Sequence, residues 1–79
     1  MLGGIKEVFK TALKVDQSKI SEETTMDNLF EWDSLHHLAI IVGLEKKFKI
    51  KLKPSDVAKM NSVKKILEVL NEKAEKKAS

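Results

Sequence analysis

A chain of 79 residues buries roughly 60 % of the surface its unfolded form exposes, which leaves room for one core and little for an enclosed substrate pocket. The absence of cysteine excludes disulfides, thiol catalysis and most structural zinc sites, and no stretch approaches the roughly 20 apolar residues of a membrane span. The net charge of +3 comes from fifteen lysines and no arginine, so sequence-specific nucleic-acid readout lacks the side chain best suited to guanine and phosphate, and no nucleic-acid partner is expected.

The amino terminus, Met1 to Glu7, carries no apolar run of secretion-signal length, and a cytoplasmic address is expected. Ile5, Val8, Phe9, Ala12 and Leu13 recur at steps of three and four, with Lys6, Glu7, Lys10 and Lys14 opposite. This is one apolar stripe on a helix from about Leu2 or Gly3 to Val15. From Asp16 to Asp33 the period is lost, and Ser18, Ser21, Thr24, Thr25 and Asn28 alternate with isolated Ile20, Met26, Leu29 and Phe30. That pattern predicts a long loop pinned to the core by those apolar residues, with Trp32 as a further anchor. A connection of such length in a small domain is usually functional. Between Ile20 and Glu45 there are six acids and no lysine, a segment of −6 that reads as a docking surface.

Asp33 opens a helix from Ser34 to about Phe48. Its apolar positions (Leu35, Leu38, Ala39, Ile40, Ile41, Val42, Leu44 and Phe48) exceed one stripe, which predicts a central helix covered on more than one side. Lys49 to Lys53 alternates like a strand, but Pro54 follows at once and no partner strand exists, so an extended connector placing Ile50 and Leu52 in the core is expected. Pro54-Ser55-Asp56 starts a short helix carrying Val57 and Met60. Ser62 caps a last helix with Val63, Ile66, Leu67, Leu70 and Ala74 as its stripe, and residues 75–79 form a lysine-rich tail expected to fray. The prediction is a single all-α domain over residues 1–79, a bundle of three long helices and one short one with a long loop between the first and second helices.

One constellation carries chemistry. Asp33-Ser34-Leu35 stands where the loop meets the most apolar helix. Structurally it reads as a cap: Asp33 accepts amide hydrogen bonds, Ser34 fills the first turn and Leu35 starts the core. Functionally, a serine there turns its hydroxyl outward beside unpaired backbone N–H groups, and a phosphate on it would meet those groups and the positive end of the helix dipole. No base, orienting acid or oxyanion loop can be assembled around it, so Ser34 is not a catalytic serine. His36 and His37 follow it but face away and are expected to be solvated. They also point about 100° apart, which disfavours a shared metal ion.

At these residues, and over nearly the whole chain from Val8 to about Leu70, the sequence resembles the acyl carrier protein family. The marks are Asp33-Ser34-Leu35, the run Leu38-Ala39-Ile40-Ile41-Val42-Gly43-Leu44-Glu45-Lys46-Lys47-Phe48-Lys49-Ile50, and the helix order long, loop, long, short, long. The resemblance implies that Ser34 receives 4′-phosphopantetheine from coenzyme A through a phosphopantetheinyl transferase. It further implies that acyl or aminoacyl groups ride on the terminal thiol as thioesters between loading and transferring enzymes, and that the chain is a monomeric carrier and no enzyme. Asp33 matches the family's acid beside the serine and, with Leu35, supports the site. Glu31, His36, Ala39 and Glu45 are the expected partner-docking positions.

The sequence departs from the family pattern where relatives are acidic overall, and where a glycine turn precedes the Asp-Ser. Here Phe30-Glu31-Trp32 stands instead, with one extra residue. His36, Ala39, Lys46 and Lys47 replace acids common on the second helix. These departures leave Ser34 intact and favour a specialised pathway over bulk fatty-acid synthesis. The alternative reading is a cofactor-free helical interaction module, separable by intact mass.

Overall fold

The computed structural model describes residues 2–78, with side chains described as far as Lys73. Among the described residues four helices follow in order: α1 (Leu2–Leu13), α2 (Ser34–Phe48), α3 (Pro54–Lys59) and α4 (Val63–Ala78), with a 3₁₀ turn at Gln17–Lys19 after α1. The expected bundle of three long helices and one short helix, with a long loop ahead of α2, is the observed one.

The first helix is two residues shorter than its pattern suggests. Lys14 takes a left-handed conformation (φ 57°) and turns the chain, so that Val15 enters the core from beyond the helix. Lys49 (φ 54°) ends α2 in the same way, its N–H returning to the Glu45 carbonyl. A lysine in this region is less favourable than glycine, so the surrounding packing over-determines both turns. The helix α4 continues to Ala78 rather than ending near Ala74. The side chains of the expected tail, and Ser79 entirely, lie outside the described residues.

The core joins Ile5, Val8, Phe9 and Leu13 of α1 to Ile40, Ile41 and Leu44 of α2 and Val63, Ile66, Val69 and Leu70 of α4, with Met60 enclosed between α3 and α4. Ile50, Leu52 and Met26 pack against it partly buried, as expected. Two expectations fail. Phe30, predicted to pin the loop, is 93 % exposed, and α2 buries one face only: Leu35, Leu38 and Val42 are 74 %, 59 % and 49 % exposed. The loop already satisfies the core through Ile20, Leu29 and Trp32, and α1, α3 and α4 leave the far side of α2 open.

That loop is irregular yet tightly bonded to itself. The Thr25 and Asn28 amides exchange bonds with each other's side chains (2.8 and 3.1 Å), and Asn28 Nδ2 donates to the Glu23 carbonyl (2.9 Å). It is clipped to the start of α4 by Met26 N–H to the Asn61 carbonyl (3.0 Å) and Val63 N–H to the Thr24 carbonyl (2.9 Å). Ser62 caps α4 through its hydroxyl, which accepts from the Lys65 amide (3.2 Å), as the sequence predicts. Asp56 ties α3 down twice, accepting the Lys53 amide (3.1 Å) and pairing with Lys73 of α4 (3.0 Å) at a largely shielded position.

α1 and α2 run antiparallel, with Gly4 against Phe48, Glu7 paired with Lys47, and Gly43 against Val8. A Cβ on Gly43 would lie 2.8 Å from Val8 Cγ1, a stiff branched side chain, whereas nothing stands within 4 Å of a Cβ on Gly3. Gly43→Ala is therefore expected to destabilise, because an overpacking cost of about 1–3 kcal/mol exceeds the propensity gain of about 1 kcal/mol. Gly3→Ala is expected to be neutral or stabilising. Urea unfolding of the two variants checks the opposite signs.

Candidate functional site

The head of α2 is built from the residues immediately before it. Trp32 is 1 % exposed and meets Phe9 of α1 edge to face, with centroids 4.8 Å apart at 87°. Its indole Nε1–H donates to His37 Nδ1 (3.0 Å). Since Nδ1 accepts, the His37 proton is assigned to Nε2, which then donates to the Val57 carbonyl of α3 (3.0 Å). His37 thus joins the loop, α2 and α3 at one buried point. The expectation of a solvated imidazole is corrected here. His37 falls on the stripe 37, 40, 41, 44 that α2 turns inward, a signal present in the sequence but masked by the residue's polarity.

Asp33 caps the helix in extended conformation (φ −110°, ψ −176°), with Oδ1 accepting the His36 amide at 2.8 Å. The same oxygen lies 2.8 Å from His36 Nδ1. His36 is partly exposed as expected, but it folds back onto Asp33 instead of pointing away from the serine end. The His36 amide, followed by the His36 ring, holds the Asp33 carboxyl below its ordinary value. Ser34 occupies the first helical position with an exposed side chain. Asp33 is engaged with the His36 amide and ring, and His37 is buried in its bonds to Trp32 and Val57.

The other expected positions scatter. Ala39 is exposed on the solvent face and Glu31 is half-buried in the loop. Leu35 does not start the core but stands in solvent beside Ser34. Glu45 turns inward, where its carboxylate accepts the Leu52 amide at 2.9 Å and holds the connector to α3. Leu38 and Val42, not anticipated as surface, extend the exposed apolar line begun by Leu35. No cluster of metal-ligating side chains occurs among the described residues, and none of the described helices is long and apolar enough to cross a membrane.

The frame of three long helices and one short one has a counterpart in known proteins. A family model describing a phosphopantetheine attachment site matches residues 4–70. The chain belongs to the acyl carrier protein family. It is 28 % identical over 72 residues to the acyl carrier protein of Buchnera aphidicola subsp. Schizaphis graminum (91 % of each chain), and 26 % identical over 73 residues to that of Thermosynechococcus vestitus (92 % of this chain, 90 % of the other). The solution structure of holo acyl carrier protein from Geobacter metallireducens superposes with a TM-score of 0.84 at 27 % identity, over 98 % of this chain and 88 % of that one. As a member of this family, whose model describes a site for covalent 4′-phosphopantetheine, the chain is a carrier, not an enzyme. Its family works with phosphopantetheinyl transferase and acyl-handling enzymes. The geometry suits such a group, because a hydroxyl for ester formation is presented to solvent on a first turn that Asp33 keeps rigid.

Two tests follow from this geometry. Trp32→Phe keeps the ring packing but removes the donor to His37, and it is expected to lower stability by about 1–3 kcal/mol, the cost of a buried group left unpaired, as read from chemical denaturation by circular dichroism. For Asp33 the folded carboxyl titrates below its unfolded counterpart near pH 3.9. Its contribution is therefore present above that value and lost as pH falls through the folded value. Thermal melts of the native chain are expected to lose more on acidification than those of Asp33→Asn, whose neutral cap does not titrate.

Proposed function

We propose that Ser34 is the residue that carries 4′-phosphopantetheine, and that the acyl or aminoacyl cargo on its thiol serves a specialised pathway rather than bulk fatty-acid synthesis. The observation that supports Ser34 most directly is its exposed hydroxyl at the first position of α2, directly after a capping aspartate and within the matched segment. Asp33 supports the site by fixing the first turn, and Leu35 by standing exposed beside it. The bound group would supply a flexible arm ending in a thiol. The protein's own residues present the attachment point, keep it on rigid backbone and offer the neighbouring face of α2 to partners. The proposed carrier is a cytoplasmic monomer, and the absence of arginine from its fifteen basic residues supports the reading that it has no nucleic-acid partner.

The specialised role is supported by the character of α2. Where a basic enzyme surface would meet acids, this helix offers Ala39, Lys46 and Lys47, and a rim charge of the wrong sign mainly slows encounter. One experiment tests both parts. Incubation with coenzyme A and a phosphopantetheinyl transferase is expected to add one phosphopantetheine to the native chain and none to Ser34→Ala, read by intact mass. The loaded, acylated chain is then expected to be a poor substrate for a fatty-acid condensing enzyme relative to an acidic carrier. Ala39→Glu, Lys46→Glu and Lys47→Glu together should improve that turnover without altering loading. Modification that survives in Ser34→Ala would remove the site assignment. Turnover equal to the acidic reference would return a housekeeping role.

A further inference from the structure

We infer that the open face of α2 is a two-ended docking surface, whose partner enzyme presents cations beside Ser34, an apolar seat at the centre and an anion opposite Lys46. The inference rests on the carrier reading above and adds to it the chemistry of the partner. Leu35, Ala39, Val42 and Lys46 follow one another at steps of four, three and four residues, so they lie on one line along the helix. All four are exposed, and Leu38 widens the line at 59 % exposure. Leu35, Leu38 and Val42 leave large apolar side chains largely in water, with nothing among the described residues covering them.

The ends of this line differ in sign. At the serine end stand Glu31 and Asp33, and no lysine occurs between Ile20 and Glu45. At the other end, about 20 Å away at the helical rise of 1.5 Å per residue, Lys46 continues the apolar line itself and makes no ion pair among the described residues. Its neighbours do not cancel it. Glu45 is turned onto the Leu52 amide, and Lys47 leaves the line to pair with Glu7. The adjoining groove is lined by Lys10 and Glu7 of α1 together with Lys46 and Lys47, and its one acid, Glu7, is the partner of Lys47.

A uniformly basic partner would therefore gain at one end and be repelled at the other. A second copy of this chain could also match the two signs in antiparallel register. The apolar patch, however, is a handful of side chains, against the roughly 20–30 residues a side of a stable interface. A surface this small suits transient, charge-steered docking by enzymes that take turns at the serine.

The test uses the ¹⁵N-labelled chain and three synthetic amphipathic helical peptides with one apolar stripe. The first is cationic at one end and anionic at the other, the second cationic throughout and the third anionic throughout. In low salt the two-ended peptide is expected to bind at least about fivefold tighter than the cationic one, with shifts at Leu35, Ala39, Val42 and Lys46. Lys46→Glu should reverse that order. Equal or tighter binding of the cationic peptide to the native chain, shifts centred elsewhere, or no binding by any peptide would overturn the proposal. So would concentration-dependent shifts at the same residues without peptide, which would assign the face to a second copy. Because the peptides are compared on the chain with and without a loaded Ser34, their failure is separable from a failure of loading.

Discussion

His37 can join three elements only because its two ring nitrogens play opposite parts, one accepting from Trp32 and the other donating to Val57. Much of the architecture around the serine depends on that division. Trp32 is the last buried residue before the cap, and its indole is fixed by Phe9 on one side and His37 on the other. With Trp32 fixed, Asp33 is delivered in the extended conformation a cap requires, and the chain enters α2 with Ser34 pointing outward. A buried polar pair of this kind contributes only about 1 kcal/mol net when satisfied. Its importance is directional, since an indole N–H left unpaired in the core would cost more than the bond contributes.

The loop supplies the second constraint. It spans the distance from α1 to α2 without regular structure, yet its backbone groups are satisfied by Thr24, Thr25 and Asn28 and by the start of α4. A loop stitched in this way holds its shape, so Trp32 arrives at one place. On the opposite side of α2, the close approach at Gly43 and the pairing of Glu7 with Lys47 lock α1 against it. The helix α2 is therefore held against α1 at Gly43 and Lys47, and its exposed apolar line borders that contact, with Ala39 and Val42 on the rim of a groove shared with Lys10 of α1.

Much of this was legible in the residues. The bounds of α2, the capping role of Asp33, the buried Trp32, the short α3 and the Ser62 cap follow from patterns whose physical causes are local. What was not legible depends on which neighbours arrive. A helix rich in apolar residues reads as enclosed, but nothing in its own sequence states that only three helices flank it and leave Leu35, Leu38 and Val42 in water. Phe30 reads as an anchor for the same reason, although Leu29 and Trp32 already fill the space. The error at His37 is of another kind. Its spacing placed it inward and its chemistry placed it outward, and the indole five residues earlier, which reconciles the two, becomes visible only in three dimensions. Glu45 likewise reads as a surface acid until the Leu52 amide is brought to it.

The short helix α3 differs from its neighbours in contributing no fully buried side chain of its own. It is held by Asp56, by the His37 bond to Val57 and by Met60 just beyond its end. Opening free energies within a domain follow the apolar surface that each segment buries, so α3 is the wall with least to lose. The flank of α1 and α2 is packed more closely, with Gly43 against Val8 and Gly4 against Phe48. Of the walls around the core, the α3 side therefore has the least packing to undo. Displacing α3 would break the bond from His37 to the Val57 carbonyl and so loosen the imidazole that fixes Trp32 just ahead of the cap.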